Sequence, residues 1–293
     1  MKKKASIGII IGNRDFFPDK LVAEARLDII EQFEKLKLNY VILGENDTKL
    51  GGVETFKDAQ KCAELFKQHA DEINGVVVIL PNFGDERGVA ETLKLADLNV
   101  PVLIQAYPDE LTKLDVARRR DSWCGKISVC NNLYQYGIKY TLTDKHVLHP
   151  KDPAFAKELA DFVAVCRVVQ GLRKVRIGAV GARPGGFNTV RYSEKILQRN
   201  GISVTTVDLS EILGNANKLT ADHPEVKEHL DTILAYAPKG KTPDEAMIQI
   251  AKLDVVLKHF MDDNYLDATA IQCWTSLQQN YGCNVCTSMS MMS

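Results

Sequence analysis

Long apolar runs, charge of one sign and cysteine are all scarce in this sequence. Apolar stretches such as residues 75–80 are far shorter than the ~20 apolar residues of a transmembrane helix. Lysine plus arginine (37) nearly balance aspartate plus glutamate (38), which argues against a protein that holds nucleic acid through its phosphates. Seven cysteines in 293 residues make no disulfide framework, and no cleavage pattern follows the short apolar stretch at the N-terminus. We therefore expect a cytoplasmic protein with reduced thiols and no nucleic-acid or membrane partner.

Complete nucleotide-binding and metal-binding motifs are also missing from the sequence. The glycine-rich turn at residues 178–186 lacks the Gly-x-Gly-x-x-Gly spacing and contains Pro184, which disfavours a nicotinamide-dependent oxidoreductase. Cys283 and Cys286 form a lone Cys-x-x-Cys pair, and the histidines show no paired metal-ligand spacing. Three arginines at residues 118–120 are flanked by aspartates, so we expect a solvated helical face or a subunit contact there.

What the sequence does contain is an alternation of short apolar stretches with amphipathic helical stretches. Strands are predicted in the first half at residues 6–11, 40–43, 76–80, 100–105 and 139–143, and the stretch at 76–80, which shows no polar alternation, predicts a strand buried on both faces. Further strands are predicted at residues 175–180, 203–208 and 268–273, with helices at 154–172, at 189–200 and from a capping box at 242–245. This pattern predicts an α/β protein with two consecutive Rossmann-like (flavodoxin-like) parallel-sheet domains, residues 1–172 and 173–293.

Polar and aromatic residues follow the predicted strands of the first domain. Residues 12–15 follow the first strand, residues 81–87 the third and residues 105–109 the fourth. Ligands of open parallel sheets bind beyond the carboxyl ends of the strands. Hydrogen-bonding side chains interleaved with aromatic rings suit a polyhydroxylated ligand, whose C–H faces stack on rings while its hydroxyls bond polar groups. An ordinary polar loop remains the alternative.

Several longer stretches resemble one family of sugar isomerases. They begin at Gln105 (QAYPD), Gly125 (GKISVCNN), Gly181 (GARP), Phe187 (FNTVRYSEK) and Gln272 (QCWT). Together they resemble L-fucose/L-arabinose isomerase-like proteins, and the resemblance covers nearly the whole chain. It implies an aldose–ketose isomerase of carbohydrate metabolism with two α/β domains followed by a C-terminal β-rich domain. It also implies a homo-oligomer in which the N-terminal domain of one subunit covers the active site of its neighbour.

The chemistry that the resemblance implies is a metal-assisted proton transfer through an ene-diol. Mn²⁺ would bridge the carbonyl and the adjacent hydroxyl of the sugar, and a Glu, an Asp and a His would bind the metal. In the family these ligands lie beyond the segment that matches residues 283–293, so no metal ligand or catalytic residue is assigned in this chain. We expect the sequence to be the N-terminal portion of such an enzyme, truncated in the second domain, without the β-rich domain and inactive alone.

What remains is a set of candidate substrate-binding residues. The resemblance places Arg14 against sugar hydroxyls and Phe83, next to Asn82, in an aromatic wall. Gln272 and Trp274 follow a strand of the second domain and would face the same cleft. Core packing is the alternative for both aromatic residues. For the whole protein the alternative is a non-catalytic sugar-binding α/β module, such as a periplasmic-type binding protein or the sensor half of a repressor.

Overall fold

A computed structural model describes residues 5–293, which divide into two compact units between Gln170 and Gly171. Each unit is an α/β layer structure with its own sheet. The predicted class of two parallel-sheet α/β units is therefore confirmed, whereas the predicted domain boundary stays a prediction. Among the described residues, no helix is both long and apolar enough to cross a membrane.

The first unit contains a five-stranded, fully parallel sheet with the order β2-β1-β3-β4-β5. Its strands are β1 (Ser6–Ile11), β2 (Asn39–Ile42), β3 (Ile73–Leu80), β4 (Val102–Ala106) and β5 (Thr141–Leu142). The connecting helices are α1 (Lys20–Lys35), α2 (Phe56–Gln68), α3 (Glu86–Ala96), α4 (Ser122–Gln135) and α5 (Pro153–Leu172). The strand order reverses direction at the β1–β3 pair, which makes this pair the topological switch point of the sheet.

Helices cover both faces of this sheet because alternate residues of each strand are apolar on both sides. On one face, strand residues such as Ile10, Val78 and Ile104 pack against α2, α3 and α4. On the other face, Ile9, Val77 and other strand residues pack against α1 and α5. All residues of β1, β3 and β4 are buried. The continuous apolar stretches in the sequence reflect this double burial.

The second unit has a three-stranded parallel sheet of order β7-β6-β8. Its strands are β6 (Arg176–Val180), β7 (Ser203–Val207) and β8 (Ala268–Ile271). Its helices are α6 (Glu194–Arg199), α7 (Leu209–Lys218), α8 (Pro224–Tyr236), α9 (Asp244–Asp263), α10 (Ser276–Asn280) and α11 (Cys286–Met291). The buried apolar face of α9, which includes Ala251 and Val255, is central to the core of this unit.

Two predictions about helix starts are wrong in detail. The helix predicted at residues 189–200 begins only at Glu194, because Arg191 is extended and the hydroxyl of Ser193 accepts the capping bond from Ile196 N–H. The predicted capping box at 242–245 is not formed: Pro243 occupies the N-cap of α9, where no side chain makes a capping hydrogen bond. A proline is well tolerated where a helix begins, because it has no N–H group that needs a hydrogen-bond partner.

Candidate functional site

The loops after β1 and β3 meet at the carboxyl edge of the switch-point pair. Val53 reaches this edge through a short parallel bridge to Gly12, with Val53 N–H donating to the Ile11 carbonyl at 2.8 Å. Asn13 N–H in turn donates to the Val53 carbonyl at 2.9 Å. This pairing brings Glu54 beside the loop that follows β1.

Four groups at this edge form a continuous chain of hydrogen bonds, which we call the amide relay. Asn13 Nδ2 donates to Glu54 Oε2 at 3.0 Å, and Asn82 Nδ2 donates to Asn13 Oδ1 at 2.7 Å. The relay ends where Gly84 N–H donates to Asn82 Oδ1 at 2.9 Å. Both asparagines are essentially inaccessible, with Asn13 1% and Asn82 0% exposed. Any effect of Asn82 on a ligand therefore acts through the two loops that it joins.

Arg14 and Phe83 lie on the ligand side of the same loops. Arg14 Nε donates to the Gly84 carbonyl at 3.1 Å, and its guanidinium carbon lies 4.6 Å from the centre of the Phe83 ring. Phe83 also stacks on Phe17, with ring centroids 6.3 Å apart and planes inclined by 22°. Arg14 and Phe83 are both half-buried. Among the described residues no carboxylate pairs with Arg14, so its two terminal NH₂ groups are left for an acceptor.

The prediction of a solvated helical face at residues 118–120 is wrong. These residues lie in a loop before α4, and Arg120 is only 8% exposed. Arg120 Nη1 donates to the Pro81 carbonyl at 3.0 Å, and its guanidinium carbon lies 4.8 Å above the Tyr107 ring. Arg119 faces Phe16 and Phe17 at 5.6 and 5.8 Å from their ring centroids. Two of the three arginines thus support the loops of the site, and no local sequence pattern indicates this role.

The electrostatics of this edge are set by partial burial of charged groups. Glu54 lies 4.0 Å from Lys49, but its desolvation still raises the pKa of its carboxyl above the ordinary value. Burial also raises the pKa of Tyr107, whose hydroxyl donates to Asp28 at 3.0 Å. Tyr107 is therefore a neutral hydrogen-bond donor that supports the loop after β4.

Several openings border the first sheet, and they lie at different edges. An opening of about 200 Å³ lies beside Glu54, between the first turns of α2 and α3, and is lined by Asp85 and Arg87 among others. One of about 640 Å³ lies beyond the end of β2, and one of about 450 Å³ lies near the starts of β3 and β4, where Lys94 and Ile138 line it. Ligands of open parallel sheets generally bind at the carboxyl edge, which is where the opening beside Glu54 lies.

In the second unit, the two predicted residues lie together at the carboxyl end of β8. Gln272 Oε1 accepts from Ala182 N–H at 2.9 Å and so fixes the turn after β6. Gly181 in this turn has φ +76°, and a side chain there would meet Gln272 Oε1 at 2.7 Å. Trp274 is 61% exposed and packs edge-to-face on Phe187 at 5.6 Å. Core packing is thus excluded for Trp274, and its exposed ring is available to a ligand.

The described residues do not fit a manganese site. Within residues 5–293, no group of three His, Cys, Asp or Glu side chains is close enough together to hold a metal ion. Four histidines each lie beside a carboxylate, and two of these pairs are close: His229 Nδ1 lies 2.6 Å from Asp254 Oδ2, and His259 Nε2 lies 2.9 Å from Glu225 Oε2. All seven cysteines are described and are free thiols, with Cys283 buried and Cys286 exposed.

The fold and this edge of the sheet define a doubly wound α/β domain with a ligand crevice at its switch point. A profile of the fucose/sulfoquinovose isomerase N-terminal domain matches residues 8–173. The chain belongs to this family, which confirms the resemblance to sugar isomerases. The match contains the whole amide relay, together with Arg14 and Phe83.

Individual relatives agree with the family assignment. A sulfoquinovose isomerase of Priestia megaterium is 24% identical over 148 residues, which make up 50% of this chain and 32% of that protein. A sulfoquinovose isomerase of Alkalicoccus urumqiensis is 24% identical over 149 residues, with the same two shares of 50% and 32%. The match therefore spans about a third of the length of these relatives.

One solved structure is similar over nearly the full length but only weakly. It is a glucose-galactose binding protein from Geobacillus stearothermophilus, GanP, which is 15% identical with a TM-score of 0.22. The alignment covers 99% of this chain and 90% of that one. A TM-score this low supports no conclusion about fold or ligand.

Proposed function

We propose that this chain is the sugar-binding part of an aldose–ketose isomerase. The observation that carries the proposal is the Arg14 guanidinium, held over Phe83 at the switch point with its terminal NH₂ groups directed to no carboxylate of the described residues. A guanidinium donates to sugar hydroxyls, while the half-buried ring of Phe83 offers an apolar contact to the C–H groups of the sugar. The family supports isomerisation as the reaction.

Aldose–ketose isomerisation moves a proton between C1 and C2 of an open-chain sugar. In this proposal the described residues bind and orient the sugar and exclude water from one side of it. Mn²⁺ remains the proposed cofactor, and because residues 5–293 offer no fitting set of ligands, its ligands would lie outside them. We assign no chemical step to the metal and no catalytic role to any residue described here.

The proposed substrates are L-fucose, L-arabinose and sulfoquinovose. The last sugar enters because two relatives carry the name sulfoquinovose isomerase, and because Arg14 presents a positive charge at the edge. A sulfonate accepts hydrogen bonds from a guanidinium more strongly than a neutral hydroxyl does. Binding of the three sugars therefore separates a site for neutral sugars from one for anionic sugars.

The test is sugar binding by the 293-residue chain, measured by calorimetry or by amide chemical shifts. We expect Arg14→Ala to weaken binding of the preferred sugar by about tenfold or more, since hydrogen bonds to charged groups contribute ~1.5–3 kcal/mol. Arg118→Ala is the matched control, because Arg118 is exposed and pairs with Asp115. Equal binding by wild type and Arg14→Ala would remove Arg14 from the site.

The non-catalytic sugar-binding module is the competing function. It shares the binding step with the isomerase and differs only in turnover. Sugar binding that persists without ketose formation, even when the part of a relative that lies outside the matched region is supplied in trans, would favour the module. Ketose formation under those conditions supports the isomerase.

A further inference from the structure

We propose that Glu54 is a positioning residue: it supplies the acceptor that the amide relay needs at its outer end and thereby helps to hold Arg14 over Phe83. The relay connects residues that are far apart in sequence: Glu54 and Asn13 are 41 positions apart, and Asn13 and Asn82 are 69. Only the identification of a sugar as the ligand of Arg14 rests on the proposed function. The relay is a property of the fold and can be tested without any sugar.

The direction of the relay follows from its two ends. Gly84 N–H can only donate, so the Asn82 oxygen must face it and the Asn82 NH₂ group must face Asn13. Asn13 therefore accepts through its oxygen and presents its own NH₂ group outward. The NH₂ group of Asn13 requires a hydrogen-bond acceptor, and the Glu54 carboxylate is that acceptor.

Burial makes this arrangement strict. An amide in water can turn over freely, because water bonds either end. The Asn13 and Asn82 side chains are 1% and 0% exposed, so a reversed amide would leave buried donors facing each other. The side chain of Glu54 is itself only 13% exposed. Removal of its acceptor would leave the Asn13 NH₂ group unpaired in the interior.

The relay ends at the residue that holds Arg14. Gly84 N–H donates to Asn82, and the Gly84 carbonyl accepts from Arg14 Nε. Gly84 therefore connects the relay to the guanidinium. Gly84 has φ +72°, a backbone conformation that suits glycine. If the Asn82 acceptor is lost or turned, the Gly84 loop loses its anchor and Arg14 loses its fixed partner. Glu54 thus acts on Arg14 through four hydrogen bonds and not by contact.

The experiment follows the Arg14 Nε–H proton by NMR, since a hydrogen-bonded guanidinium proton exchanges slowly with water. We expect Asn13→Asp to accelerate this exchange at least about tenfold, because it sets two carboxylates against each other and removes a donor. When Glu54→Gln is added to Asn13→Asp, the amide at position 54 can donate to the carboxylate at position 13. The hydrogen bond between the two side chains is then restored, with donor and acceptor exchanged. The double variant should therefore recover slow exchange. Glu54→Gln alone should retain it, because the amide oxygen still accepts.

Two further variants keep the test decisive. Asn82→Asp sets a carboxylate against the Asn13 oxygen, and we expect the repulsion between these two acceptors to displace the side chain from Gly84 N–H and to give fast Arg14 exchange in a chain that remains folded. Asn131→Asp is the control, since Asn131 is exposed on α4 and keeps its role as acceptor for Gln135. If Asn13→Asp does not fold, the comparison of Asn82→Asp with its control decides the matter alone.

The outcomes separate the relay from the sugar site. Unchanged Arg14 exchange in folded Asn13→Asp or Asn82→Asp overturns the proposal, and so does a double variant that behaves like Asn13→Asp. A general loss of stability without faster Arg14 exchange also overturns it, because a purely structural role would produce that result. Fast exchange together with undiminished sugar binding leaves the relay standing and removes Arg14 from the proposed sugar site.

Discussion

At the scale of single residues, the loop that carries Phe83 is shaped by its close approach to α4. A Cβ atom built on Gly125 would lie only 1.7 Å from the Phe83 carbonyl oxygen. No side chain fits there, because the obstacle is backbone and not the flexible end of a side chain. Gly125 therefore permits the helix and the site loop to pack directly on each other.

This contact gives a prediction at residue scale. We expect Gly125→Ala to lower the free energy of unfolding by about 1–3 kcal/mol through overpacking, and to weaken sugar binding by moving Phe83. Chemical denaturation and calorimetry measure the two effects. Gly214→Ala in α7 is the control: a Cβ there meets no atom within 4 Å, and a helical alanine should add roughly 0.5–1 kcal/mol. A Gly125→Ala protein with wild-type stability and binding would contradict the reading of this contact.

At the scale of elements, α4 carries a lysine into the interior of the first unit. Lys126 is 2% exposed, and its ammonium group donates to Thr143 Oγ1 at 2.7 Å and to the His146 carbonyl at 2.9 Å. These two hydrogen bonds tie α4 to the loop after β5. Burial lowers the pKa of Lys126 from 10.5 to about 8.

The lowered pKa predicts a stability that depends on pH. Between pH 8 and 10.5 the unfolded chain binds the Lys126 proton while the folded chain releases it, so this group makes folding more favourable as the pH rises. We expect the stability of wild type relative to Lys126→Met to increase by roughly 1–3 kcal/mol from pH 7.5 to pH 10. Urea denaturation of both proteins at each pH measures the difference, in which the titrations of other groups cancel. A difference that stays constant with pH would show that Lys126 keeps its ordinary pKa.

At the scale of elements, the sequence predicts the buried strands better than the start of a helix or the course of a loop. The buried strands β1, β3 and β4 were predictable because each is apolar on both faces. The start of α6 at Glu194 was not predicted: residues 188–190 form a 3₁₀ turn and Arg191 is extended, so the helix begins only after the capping residue Ser193. The loop position of Arg119 and Arg120 was equally hidden, since their partners Phe17 and Tyr107 come from other loops.

At the scale of the whole molecule, the described residues include the proposed sugar-binding edge but no group of side chains that could hold a metal ion. Within residues 5–293 no three ligand residues come together, while the family comparison supports isomerisation. The match covers about a third of the curated relatives, so the reaction of a full isomerase involves more protein than the matched region. Binding and turnover are therefore separate questions for this chain.

The corresponding prediction concerns turnover. We expect the 293-residue chain supplied with Mn²⁺ to form no ketose from L-fucose, L-arabinose or sulfoquinovose, because the described residues offer no fitting ligand set. Proton NMR of the sugars after long incubation measures this, with one of the sulfoquinovose isomerase relatives as the positive control. Manganese-dependent ketose formation by the chain alone would show that it carries a metal site among its own residues.

The sequence by itself determined the strands, the presence of helices on both faces of the first sheet and the edge at which polar residues collect. These features depend on local burial patterns, which repeat every two residues in a strand and every three to four in a helix. The tertiary structure decided which of those polar residues act together. Asn13, Glu54 and Asn82 form one relay, and Arg14 reaches a carbonyl 70 positions away. Such bonds are fixed by the order of strands in the sheet, and no local pattern encodes their partners or their direction.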